Sequence, residues 1–125
     1  MSRLLLDTHV LIWWRGDSPF LSDDARSAIA DPANQIFVSI ASVWELAIKR
    51  SLGRLVFPED FGAVLVEEKF DLLPIVLDHL RALDTLPRYH RDPFDRLLIA
   101  QAVTERLPIV TRDPVFASYG PQLLW

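Results

Sequence analysis

The sequence predicts an α/β fold in which a central, mostly parallel sheet of four or five short strands is flanked by helices on both faces, all within one domain spanning residues 1–125. Three observations carry this. Short apolar runs recur at Leu4–Leu6, Ile36–Val38, Leu72–Ile75 and Pro108–Thr111, separated by stretches of helical pattern. Strand and helix in alternation give parallel strands with crossover helices covering both faces. The segment after Asp92-Pro93 is apolar nearly all the way round, through Leu97, Leu98, Ile99, Ala100, Ala102 and Val103, which describes a helix packed into a core. Finally, 125 residues, half of them hydrophobic, suffice to bury roughly two-thirds of the unfolded chain's surface.

Taken in order, Arg3–Leu6 is a strand ending in Asp7, and Thr8-His9 opens a helix through Val10, Leu11, Ile12, Trp13 and Trp14. Neighbouring tryptophans point about 100° apart on a helix, which leaves one of Trp13 and Trp14 room to reach the surface and a partner, but core packing is the expected fate of each. Gly16–Pro19 is a turn, and Ser22-Asp23-Asp24 starts a helix to about Ala30, where acids in the first turn suit the macrodipole. After the Ile36–Val38 strand, a helix runs from about Ala41 to Leu52 and stops at Gly53. Pro58-Glu59-Asp60 starts another that carries Phe61, Val64, Leu65 and Phe70. Leu77–Leu86 is helical, with Leu80 and Leu83 expected inward, and breaks at Pro87. The core helix begins at Pro93, because proline's fixed φ suits the first helical position and Asp92 can accept an orphan amide. Asp113-Pro114 caps a helical turn, and Leu123–Trp125 reads as a closing edge strand.

Composition narrows the chemistry. No cysteine is present, which excludes disulfides and thiolate zinc sites, and His9, His79 and His90 stand in no zinc-binding pattern. Any metal would be a hard ion held by oxygen, which points to magnesium or manganese. No apolar stretch approaches a membrane span, so a cytoplasmic chain with no membrane partner is expected. The net charge of −4 argues against simple non-specific nucleic-acid binding. The basic residues are nevertheless grouped, Lys49, Arg50 and Arg54 in one set and Arg88, Arg91 and Arg96 in another.

Four carboxylates stand out: Asp7, Glu45, Asp95 and Asp113. In an open parallel sheet, ligands bind beyond the carboxyl ends of the strands. Asp7 ends the first strand, Asp113 follows the fourth, and Asp95 lies in the first turn of the helix leading to that strand. Each acid also has an ordinary explanation. Asp7 and Asp113 suit N-caps, and Asp95 suits the third residue of a capping box opened by Asp92. Ser42-Val43-Trp44-Glu45 is itself a capping-box pattern, and Glu45 can pair with Lys49 one turn on. Together the four argue otherwise. Two carboxylates about 4 Å apart repel by about 4 kcal/mol at an effective dielectric near 20, so such a group needs a divalent cation to stay ionised.

The run Leu4-Leu5-Leu6-Asp7-Thr8-His9-Val10-Leu11-Ile12-Trp13-Trp14 resembles the opening of PIN-domain ribonucleases, in particular the VapC-type toxins of bacterial toxin–antitoxin pairs. Three further blocks match in order: Ser39–Lys49, Asp92–Ala102, and Val110–Asp113 with Phe116. The resemblance implies a PIN-like three-layer sandwich and a magnesium- or manganese-dependent endoribonuclease whose metal site is Asp7, Glu45, Asp95 and Asp113. It also implies a cognate antitoxin and a homodimer or toxin–antitoxin hetero-oligomer. Thr8 and Thr111 are expected to support the site through their hydroxyls, and Asp92 to stand behind it. Lys49, Arg91, Arg96 and Arg112 are candidates for the RNA backbone, against the plainer reading that they balance the acids.

Two other classes compete. A phosphoacceptor switch also gathers aspartates at strand ends, but it calls for a lysine near the last strand, whereas Lys49 and Lys69 lie mid-chain. A dehalogenase-type phosphatase calls for a second Asp two residues after the first, where this chain has His9. A catalytically silent binding module, its acids serving only as caps, is the third reading.

Overall fold

The computed structural model describes residues 1–57, 60–89 and 92–125. Five strands form one sheet: β1 (Arg3–Leu6), β2 (Gln35–Ser39), β3 (Asp71–Leu73), β4 (Ile109–Val110) and β5 (Leu123–Leu124). Their order is β3-β2-β1-β4-β5, and every neighbouring pair is parallel. The strand at residues 123–124 is thus a parallel edge strand on β4. Among the described residues, six α-helices connect these strands: α1 (Thr8–Arg15), α2 (Asp23–Ala30), α3 (Ile40–Ser51), α4 (Phe61–Glu68), α5 (Leu77–Thr85) and α6 (Pro93–Glu105), with a 3-10 helix at Pro114–Tyr119.

Side-chain alternation along β1 shows why the sheet is covered twice. Leu4 and Leu6 enter one buried cluster with Val10, Leu11, Val38 and Leu46, while Leu5 enters the other with Leu98, Ile99, Ile109 and Phe116. Successive residues of a strand face opposite ways, so an unbroken Leu-Leu-Leu run fits only a strand buried on both sides. The register Leu6↔Val110 then brings the ends of β1 and β4 level, and the Asp7 amide donates to the Val110 carbonyl at 3.0 Å.

Several boundaries differ from the sequence-based expectation for physical reasons. Strand β3 ends at Leu73, because Pro74 has no N–H to continue the ladder. Helix α4 starts at Phe61, with Asp60 accepting the Ala63 amide at 3.0 Å, and ends at left-handed Lys69, so Phe70 lies beyond it. The expected start at Pro58-Glu59 lies outside the described residues. Helix α3 is capped by Ser39, whose hydroxyl accepts the Ala41 amide at 2.9 Å. Ser42 is therefore inside the helix and opens no capping box with Glu45.

Helix α5 turns a different face inward than expected. Leu80 is 43% exposed, whereas His79 is 1% exposed, with Ala82, Leu83 and Leu86 half-buried on its side. A histidine can occupy that place because its ring is satisfied. The Val76 amide donates to Nδ1 at 3.1 Å, which leaves the proton on Nε2, 2.9 Å from Glu105 Oε1 on α6.

Candidate active site

The site is built at the carboxyl edge of the sheet. Strand β1 delivers Asp7 and β4 delivers Thr111, each as the first residue past its strand. Helix α3, entered directly from β2, carries Glu45, and the first turn of α6 carries Asp95. Asp7, Asp95 and Asp113 line a single open pocket of about 390 Å³, together with His9, Trp13, Arg112 and Pro114. Glu45 is buried behind it, close enough to repel the Asp95 carboxylate. Three of the four acids thus share one pocket, and the fourth bears on it through its charge on Asp95.

Asp7 occupies the N-cap position of α1, but its side chain makes no capping hydrogen bond. Instead Thr111 Oγ1 donates to Asp7 Oδ2 at 2.8 Å and accepts the Asp113 amide at 3.1 Å, so one buried hydroxyl orients both carboxylate-bearing residues. Burial pushes the Asp7 carboxyl up from its ordinary value. The Thr111 hydrogen bond opposes this most, followed by His9 and the amides at the start of α1. Thr8 Oγ1 donates to Ser42 Oγ at 2.9 Å, pinning α1 to α3 just behind the acids. Ser42, read from the sequence only as a cap, is the buried partner that the Thr8 hydroxyl needs.

Asp95 is raised to about 7, first by burial and then by the charges of Asp7, Asp92, Glu45 and Asp113. That all four push the same way is the electrostatic signature of the cluster. Asp92 has two roles. Its Oδ1 caps α6, accepting the amides of Phe94 at 2.8 Å and Asp95 at 3.1 Å, and its charge bears on Asp95. Asp113 likewise caps its 3-10 helix, accepting the Val115 amide at 3.0 Å.

The donor set suits a hard cation. Asp7 Oδ1 and Glu45 Oε1 are buried with no hydrogen-bond partner among the described residues, an expensive state for anionic oxygen. Among the described residues no three His, Asp or Glu side chains converge on one point as a closed metal cage. Magnesium does not need one, because it takes one or two carboxylates directly and keeps several waters. Oxygen-only ligation at a partly open, acid-lined pocket fits that habit.

The pattern of a PIN domain, as a family model, matches residues 4–120. This chain belongs to the PIN-domain family. A protein of Mycobacterium tuberculosis (strain ATCC 25618 / H37Rv) named Ribonuclease VapC22 is 28% identical over 139 residues, covering all of both chains. Among solved structures, VapBC2 from Rickettsia felis, bound to a DNA fragment from its promoter, superposes with a TM-score of 0.69 at 14% identity, covering 98% of this chain and 97% of that one. FitAcB from Neisseria gonorrhoeae gives 0.63 at 18% identity, covering 96% and 95% of the two chains. VapBC-5 from Mycobacterium tuberculosis gives 0.59 at 18%, covering 98% and 96%.

The basic residues of this PIN domain divide by position. Lys49 Nζ sits 2.9 Å from Glu45 Oε2, the one-turn pair that the spacing allowed. Arg96 points away from the pocket, donating to the Pro87 carbonyl at 2.8 Å and to those of Leu83 and Leu86 at 3.4 Å, where it closes the end of α5. Arg91, with His90, lies outside the described residues. Of the three that are described, Arg112 lines the acidic pocket, its guanidinium 4.7 Å from the Trp13 ring centre. His9 and Trp13 had been read only as helix residues. Their spacing of four places them on one face of α1, the face that Asp7 begins.

Proposed function

We propose that this PIN domain is a magnesium- or manganese-dependent endoribonuclease acting in the cytoplasm as the toxin of a toxin–antitoxin pair, with Asp7, Glu45, Asp95 and Asp113 as its metal site. The observation that carries this is the gathering of Asp7, Asp95 and Asp113 in one pocket at the sheet's carboxyl edge, with Glu45 charged against Asp95 and two buried carboxylate oxygens lacking a hydrogen-bond partner among the described residues. The family and the name of the mycobacterial relative support ribonuclease chemistry. The structural relatives described as VapBC and FitAcB support a cognate antitoxin protein and a hetero-oligomer, or a homodimer of this chain. No helix among the described residues is long and apolar enough to cross a membrane.

When bound, the ion would supply a water of lowered pKa and positive charge against the reacting phosphodiester. The chain's own residues set up that event. Thr111 holds Asp7 through Oδ2 and leaves Oδ1 for ligation. Thr8 and Ser42 hold α1 against α3, which keeps Asp7 and Glu45 at a constant separation. Lys49 takes one oxygen of Glu45 and leaves Oε1 for ligation or for a bridging water. Asp92 orients the first turn of α6, and with it Asp95.

A purified sample should cleave total RNA with magnesium or manganese and stop with EDTA, and Asp7→Asn should abolish cleavage without unfolding the protein. Full activity in EDTA, or in Asp7→Asn, would refute the assignment. The caps made by Asp92 and Asp113 favour one competing reading, a silent module whose acids are structural. Calorimetric titration with manganese separates the two, since a silent module takes up no heat-releasing ion at this site.

A further inference from the structure

Outside the acids, the pocket has an aromatic wall with no part in metal binding. Trp13 is half-buried and held on four sides. His9 lies 5.8 Å away, Phe20 5.9 Å away edge-on and Trp125 5.8 Å away edge-on, while Arg112 sits over its face at 4.7 Å. Arg112 also lies 5.6 Å from the Phe20 ring, which is 62% exposed. Among the described residues Arg112 makes no ion pair, although Asp7, Asp95 and Asp113 share its pocket, whereas Arg15, Arg26 and Arg81 each hold a carboxylate. An arginine present only to balance the acids would bond to one of them. This one lies over the Trp13 ring and near that of Phe20, beside the carboxylates.

We propose that Phe20, Arg112 and Trp13 form a stacking platform that receives an unpaired nucleobase next to the scissile phosphate. The inference rests on the RNA-cleavage reading and adds the groups that position the strand. Guanidinium planes and aromatic rings are the surfaces on which splayed-out bases stack, and such stacking tolerates any base because every base has a π-face. The platform is preorganised, since Trp13 is braced by its neighbours and little rotamer freedom remains to be lost on binding. Phe20 follows the Gly16–Pro19 turn at the surface, so its ring is the accessible end of the stack. Trp13 and Arg112 line the same pocket as Asp95 and Asp113, and Phe20 adjoins both, which sets the platform beside the acids.

The test uses Phe20→Ala, Phe20→Tyr and Arg112→Lys on a short single-stranded RNA, intact or carrying an abasic residue beside the cleaved bond. Phe20→Ala should raise KM roughly 5- to 100-fold on intact RNA and leave the abasic substrate unchanged, while Phe20→Tyr retains the parent's behaviour. Arg112→Lys, which keeps the charge and loses the plane, should follow Phe20→Ala. Equal ratios of intact to abasic cleavage in parent and variants would overturn the proposal. If the parent cleaves no RNA, the nuclease reading fails by itself, and the platform is then judged by binding of a 2-aminopurine oligonucleotide to the parent chain. Quenching of the probe that Phe20→Ala abolishes supports the platform, and equal or absent quenching in both proteins refutes it.

Discussion

At the scale of single residues, the site is an arrangement of charges the chain tolerates at a cost. Asp95 is lifted from 3.8 to about 7, so over that interval the folded protein holds a proton that the unfolded chain has released. Stability of the metal-free protein should therefore fall as pH rises from about 4 to about 7 and level off above, with Asp7 acting in the same sense. Asp95→Asn should flatten this slope and raise Tm at pH 8 by about 2–6 °C while abolishing cleavage, the trade expected where function requires crowded charge. Calorimetric melts of parent and variant at pH 5 and pH 8 check it, and a variant less stable than the parent at pH 8 would contradict it. Thr111 offers a second test. Thr111→Val removes the hydroxyl that binds Asp7 and the Asp113 amide, and activity should drop about 10- to 100-fold, with Thr111→Ser recovering most of it. Asp92 separates two roles by chemistry: Asp92→Asn keeps the cap and should shift the acidic limb of the pH–rate profile downward, whereas Asp92→Ala should cost about 1 kcal/mol of stability.

At the scale of elements, a buried polar chain joins the core helix to the rest. Ser39 Oγ donates to Gln101 Oε1, and Gln101 Nε2 donates to the Pro74 carbonyl at 3.2 Å, with His79 and Glu105 linking α5 to α6 beside them. Gln101→Leu fits the apolar surroundings but strands the Ser39 hydroxyl and the Pro74 carbonyl. A loss of about 1–3 kcal/mol in urea unfolding is expected. This network was not legible in the sequence. A periodicity reading counts Leu80 as inward, because it ranks residues by polarity and cannot see that Val76 and Glu105 satisfy the imidazole of His79 in the core. The strong signals were those tied to backbone chemistry. Asp92-Pro93 gave the start of α6, and the Leu4–Leu6 run gave a doubly buried strand, because proline's missing N–H and a strand's alternation leave few other outcomes. The start of α3 was legible to within a residue, but the competing capping box at Ser42 was not excluded, because Ser39 and Ser42 are equally good capping types and only the entry from β2 chooses between them.

At the scale of the whole molecule, the parallel sheet makes a site out of residues more than a hundred positions apart. Thr111 reaches Asp7 because β4 lies beside β1 in register, and α3 and α6 bring the other acids to the same edge. The placing of Asp7, Asp95 and Asp113 at this edge was readable from the sequence, since each falls at a strand end or helix start, whereas Glu45 lies in the second turn of α3. The aromatic wall was not, because Phe20, Trp13 and Arg112 meet only after α1 folds onto that edge. The central claim is that the four acids act as one divalent-cation site, and thermal melts with increasing manganese test it directly. The parent's stability should rise by about 2.7 kcal/mol at a hundred times Kd, and Asp7→Asn and Asp95→Asn should lose most of that gain. An equal manganese response in parent and both variants, or none in a folded parent, would contradict it.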